Sequence, residues 1–139
     1  MTFKIRPDLD RAALAALKAA GAVAGKLYPE GVTTHSEDGI RRVEDAWPVF
    51  AAMEELDLVL CLHGEHPDAF SLDREAAFVK SLRAIRGAFP RLRIVLEHVS
   101  SVAGLEAVLE DGPLTDPDVW GRLMQLSQGN FLGYFLWIN

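Results

Sequence analysis

Three basic side chains close three apolar runs at nearly even intervals: Lys26 in AGKLYP, His63 in CLHGE and His98 in VLEHVS. Lys26 and His63 are 37 residues apart, and His63 and His98 are 35. One strand–helix unit of a (β/α) barrel takes about 30 residues, and barrel sites are built at the C-terminal ends of the strands. So spaced, the three groups are expected at the same end of neighbouring parallel strands. Imidazole is the commonest protein ligand for zinc. Lysine joins such a set once its ammonium is masked, for example as a carbamate, which then acts as a hard bridging carboxylate. A divalent ion lowers the pKa of water toward neutrality and so makes a nucleophile. Spacing alone also fits a plainer arrangement, in which histidines at strand ends merely form hydrogen bonds.

The elements that must position these groups follow from the pattern around them. TFKI (2–5) reads as a short strand, broken by Pro7 and Asp8. Asp8 or Asp10 can cap the alanine- and leucine-rich helix LDRAALAALKAA, which Gly21 stops. AVAGKLY (22–28) is the next strand, followed by a glycine-, threonine- and serine-containing loop (29–39). Residues 43–56 have helical periodicity, with Val43, Trp47, Phe50 and Met53 on one face and Pro48 near the start. LDLVLCLH (56–63) is apolar almost throughout, as in a strand buried on both faces. Asp73 is placed to cap a helix through REAAFVKSLRAIRGAF, RLRIVLEH (91–98) is a strand, and Ser100 or Ser101 opens a last helix. Strand and helix alternate four times, which predicts a parallel sheet with crossover helices. Beyond Gly112 the rhythm fails. Asp116 and Asp118 mark a helix start at DVWGRLMQL, and the aromatic NFLGYFLWIN could be a final strand, a dimerisation segment or a tail.

With 139 residues, half of them apolar, the chain suits one domain with a substantial core. A net charge of −6 argues against nucleic acid and anionic membrane as partners. No run of about 18 apolar residues is available to span a bilayer. Cys61, in an apolar run, reads as a small buried hydrophobe. One thiol makes no intrachain disulfide, and MTFKIRPDLD lacks the apolar core of a secretory signal, so a cytoplasmic location is expected.

The segments GAVAGKLYPEGVTTHSEDGI, WPVFAAMEELDLVLCLHGE, LDREAAFV and FPRLRIVLEHVS, taken in order, resemble the bacterial, shorter-chain dihydroorotases of the amidohydrolase superfamily. The likeness runs over about residues 10–112, through KLYP, TT, HGE, DREA and EH in register. It implies that Lys26 is the carboxylated lysine bridging two zinc ions, and that His63 and His98 bind the second of them. These three would then be the catalytic residues. Thr33 and Thr34 look like the pair on the loop that closes over substrate. Glu65 and Glu97 adjoin the histidines and could orient them, or be ordinary salt-bridged carboxylates. His35, after the threonines, and His66, in HGEHPD, are possible substitute ligands; a solvent-exposed place suits either as well.

The departures from the family are specific. The His-x-His pair of the family's first strand is missing, and so is the late strand with its aspartate base. The expectation is therefore a truncated barrel of about four parallel strands (1–112) with an unrelated C-terminal segment (113–139) in the same domain. Half a barrel exposes two sheet edges and an apolar inner face, so rearrangement to an open αβα layer and homodimerisation are expected. Functionally this predicts a metal-dependent hydrolase of broad specificity. One Zn²⁺ or Mn²⁺ ion, or two, would activate water against small phosphoesters or other activated esters and amides. The alternative is a non-catalytic module with a vestigial metal site.

Overall fold

A computed structural model describes residues 1–109 and the strand at 135–138. The elements in chain order are β1 (Thr2–Lys4), α1 (Arg11–Ala19), β2 (Ala24–Leu27), a 3₁₀ turn (Val43–Ala46), α2 (Trp47–Glu55), β3 (Val59–His63), α3 (Arg74–Ala88), β4 (Ile94–Glu97), α4 (Val102–Leu109) and β5 (Phe135–Ile138). The helix expected at DVWGRLMQL, with Asp116 and Asp118, lies outside the described residues.

Local chemistry explains most of the boundaries. Asp10 caps α1 by accepting a hydrogen bond from the Ala13 amide at 2.8 Å. Ser101 opens α4 in the same way, its Oγ accepting from Gly104 N at 3.0 Å. Asp73 occupies the cap position of α3, but its side chain makes no capping bond. The helix expected over 43–56 divides into the 3₁₀ turn and α2, because Pro48 falls in the first turn of α2, where a missing N–H costs no intrahelical bond. The face predicted for it does turn inward: Phe50 and Met53 are fully buried, and Val43 and Trp47 pack against the core.

The sheet has the order β1-β2-β3-β4-β5, with the first four strands parallel. This is the four-stranded parallel arrangement that the alternation predicts. The terminal apolar segment adds β5, antiparallel to β4. Sequential neighbours joined by right-handed crossovers put their helices on one face. The main core accordingly joins Leu14 of α1, Phe50 of α2, Leu82 of α3 and Val108 of α4 to Leu27, Leu60, Leu62, Ile94 and Leu96 of the strands. A second, smaller cluster of Ala24, Val59 and Val95, with Cys61 against it, lies on the other face. Every described helix is on the first face, so the second helical layer of the open αβα expectation is not present among the described residues.

Candidate metal centre

Side chains alternate along a strand, so the face opposite the helices receives Lys26 from β2, Cys61 and His63 from β3, and Glu97 from β4. Register brings them together: Lys26 pairs with Cys61, and His63 with Glu97. Three of these four sit at or next to the C-terminal ends of their strands. His98 follows one residue after β4, where regular alternation would turn it toward the helices. Its backbone instead adopts φ 59°, a left-handed conformation that histidine tolerates better than most residues. The His98 ring then stands 5.4 Å, centre to centre, from the His63 ring.

Gly64 lets the chain leave β3 close to its neighbour, since a Cβ there would run into Leu96 Cδ1. Glu65, just beyond, places Oε1 3.2 Å from His63 Nε2. Its other oxygen lies 3.7 Å from Arg74 Nη1.

Lys26 is buried, and its ammonium forms an ion pair with Glu97 Oε2, 71 residues away in sequence. The same oxygen lies 3.7 Å from His98 Nε2. Burial holds the Lys26 ammonium below the usual lysine range, with the hydrogen bond and charge of Glu97 pulling the other way. His63 is also pushed down, first by burial and then by the positive charge of Lys26, against the opposing pull of Glu65. A depressed imidazole keeps a lone pair free near neutrality, as a metal ligand requires. Burial, with help from the Glu97 charge, raises the Cys61 thiol to about 11, so this sulfur is not a thiolate at neutral pH.

The fit to a metal ion can be tested on this geometry. Two imidazoles bound at about 2.1 Å to a tetrahedral ion have ring centres roughly 5 Å apart. The His63–His98 spacing of 5.4 Å suits a shared ion. Among the described residues, no group of three His, Cys, Asp or Glu side chains could hold a metal. Among the described residues, a masked Lys26 is the side chain that would remain as a third ligand, and its ion pair with Glu97 competes with that form.

The remaining predicted residues lie in the connections that follow β2 and β3. Thr33 is tied into its own turn, its amide donating to Ser36 Oγ at 3.0 Å while Ser36 Oγ donates back to Thr33 O at 2.6 Å. Thr34 and His35 are exposed, His35 with φ 57°. His66 Nδ1 accepts from Asp68 N at 3.3 Å, and the residue lines a separate cleft with Arg41, Arg42 and Ser81. Tyr28 was missed at the sequence level. Its ring stacks on His63 at 6.4 Å, with the Lys26 ammonium 5.2 Å from its centre. The signal was available, since Tyr28 follows Lys26 by two residues in KLYP and shares its face.

A half-barrel of parallel strands with imidazoles at the strand ends defines a class, and comparison agrees. The amidohydrolase family profile matches residues 4–130, and the chain belongs to that family. Within it, the chain is similar to dihydroorotases. It is 42% identical over 118 residues to the dihydroorotase of Aromatoleum aromaticum, covering 81% of this chain and 33% of that one. With the dihydroorotase of Mycosarcoma maydis it shares 40% over 116 residues, covering 80% and 29%. The solved dihydroorotase of Campylobacter jejuni superposes with a TM-score of 0.72 at 35% identity, over 79% of this chain and 32% of that one. The Saccharomyces cerevisiae dihydroorotase, solved in complex with 5-fluoroorotic acid, gives 0.73 at 33%, over 79% and 33%. The chain thus spans about a third of the length of these relatives. No helix among the described residues is long and apolar enough to cross a membrane.

Proposed function

We propose that this chain binds one divalent ion, Zn²⁺ or Mn²⁺, through His63 and His98, and that it is a metal-dependent hydrolase of small molecules. The observation that carries this reading is the 5.4 Å separation of the two rings at the ends of adjacent parallel strands. When bound, the ion supplies Lewis acidity and an acidified water. Lys26 serves as a third ligand once carboxylated, and its lowered pKa favours the neutral amine that carbamate formation needs. A second ion requires that carbamate. Glu65 would orient the His63 ring through its contact with Nε2. Thr33 and Thr34 contribute to a loop over the substrate.

Activated phosphoesters, esters and amides of small size are the proposed substrates. The relatives' own reaction is not proposed for these residues. A net charge of −6 and a single cysteine suit a cytoplasmic enzyme, and the outer edge of β1 suits pairing as a homodimer. One observation favours a second reading, a folded module with a vestigial site: the Lys26–Glu97 ion pair holds lysine in the form that cannot ligate.

Elemental analysis of the purified protein, with Zn²⁺ and Mn²⁺ titrations beside His63→Ala and His98→Ala, separates the two. The hydrolase reading expects near-stoichiometric metal that is lost in both variants. A wild type that takes up neither ion sinks it in favour of the module.

A further inference from the structure

Two consecutive residues in the first turn of α3 reach, in opposite directions, the two loops that carry the histidines. Arg74 turns toward the loop after β3. Its Nη1 lies 3.7 Å from Glu65 Oε2, whose other oxygen meets His63 Nε2, and its Nε donates to Ala69 O at 3.3 Å. Glu75 turns toward the loop after β4. Its Oε2 accepts from Ser100 N and Ser100 Oγ, both at 2.8 Å. Its Oε1 accepts from Ser101 N at 3.0 Å and Ser101 Oγ at 2.7 Å. Four donors on one carboxylate is far more than a surface helix residue ordinarily gathers, and charge-assisted bonds are the strong ones. The bonded segment begins two residues after His98, whose left-handed backbone has to be held by something beyond the strand. The packing is built around this carboxylate: a Cβ at Gly104 of α4 would run into Glu75 Oε1.

We propose that Arg74 and Glu75 are positioning residues that set the spacing of the two imidazoles, Arg74 acting on His63 through Glu65 and Glu75 acting on His98 through Ser100 and Ser101. One helix turn thereby fixes both members of the pair. This inference rests on the reading of His63 and His98 as a metal pair, but the spacing itself exists without metal and can be measured without it.

The test is NMR of the isotopically labelled, metal-free protein, followed by Zn²⁺ titration against a competing chelator. Glu75→Ala is expected to shift the His98 ring and amide signals while leaving His63 in place. Arg74→Ala is expected to do the reverse. Gly104→Ala, which displaces the carboxylate without removing it, should reproduce the Glu75→Ala pattern. Val108→Ala, a buried change in the same α4, lowers stability without touching either loop, and should move neither histidine. Where Glu75→Ala fails to fold, Glu75→Gln keeps the volume, loses part of the hydrogen bonding and should shift His98 to a smaller extent. Zn²⁺ affinity is expected to fall about 10- to 100-fold in Glu75→Ala and in Arg74→Ala. If Glu75→Ala or Glu75→Gln leaves His98 unmoved, or if Val108→Ala moves it equally, the proposal is overturned. If the crossed pattern holds but wild type takes up no Zn²⁺, the positioning stands and the metal reading fails.

Discussion

Leu60 and Leu62 turn into the helices; Cys61 and His63, one residue away in each case, turn out of them. The same division runs across the sheet. Leu27, Leu60, Leu62, Ile94 and Leu96 are all within 2% of complete burial on the helix side. Their neighbours Lys26, Cys61, His63 and Glu97 form a polar cluster on the other side, around a strip of Ala24, Val59 and Val95. One face supplies apolar contact area and the other supplies charge and the candidate ligands, in strict alternation. The lesson is about register: a slip of one residue would exchange the two faces, so the apolar face is what aims the polar one. If that is right, mutations on the polar face should matter for stability only where they strand a charge, and mutations on the apolar face should matter everywhere.

The largest effect is expected from stranding a charge. Glu97→Leu leaves the Lys26 ammonium buried without its partner, and breaking such a pair from one side costs about 3–5 kcal/mol. Replacing both, as Lys26→Met with Glu97→Leu, should recover most of the loss, since the desolvation cost goes with the charge. Urea unfolding of the two singles and the double decides it. A double variant as unstable as Glu97→Leu would show that the polar face is held by shape and not by charge, and the contrast would fail.

How much of this division was legible in the sequence varies element by element. The run LDLVLCLH announces a buried strand, but Leu60, Cys61 and Leu62 are alike in hydropathy, and only pairing with β2 and β4 decides which faces the helices. Lys26 and His63 are readable because a polar group ends an apolar run. The spacing that suggested His98 did not reveal how it gets there, because a left-handed residue after a strand has no hydropathy signature. Glu97 pairs with a lysine 71 residues away, and Glu75 is one charged residue among several in an ordinary-looking helix. Charge partners made by tertiary structure leave no local trace. Asp10 and Asp73 make the same point for caps: the residue type predicts the position of both, and only Asp10 makes the bond.

The middle-sized test compares adjacent residues. Leu62→Ala removes a fully buried side chain from the helix face and should cost about 2–5 kcal/mol. Cys61→Ala, on the opposite face and partly accessible, should cost under about 1 kcal/mol. Equal costs would mean that the smaller cluster is packed as tightly as the larger, and the asymmetry would have to be abandoned.

The smallest expected effect is the dependence of stability on pH through His63, and its sign follows from the surroundings of the ring. Burial and the Lys26 charge favour the neutral imidazole in the fold, and Glu65 only partly opposes them. The unfolded chain therefore takes up a proton more readily than the folded one. His63 contributes its stabilisation fully above the ordinary imidazole pKa of about 6.5, and loses it as pH falls from there toward the lower folded value. Carboxylates begin to titrate lower still, so the informative quantity is the difference between wild type and His63→Gln. That difference should shrink as pH falls through the window below about 6.5. A difference that grows on acidification would mean the fold prefers the imidazolium. Glu65 would then outweigh Lys26 and burial together, and the polar face would be organised around an added proton instead of a free lone pair. Such a face would weaken metal binding at His63 near neutral pH, so the smallest of the three measurements bears most directly on what the cluster is for.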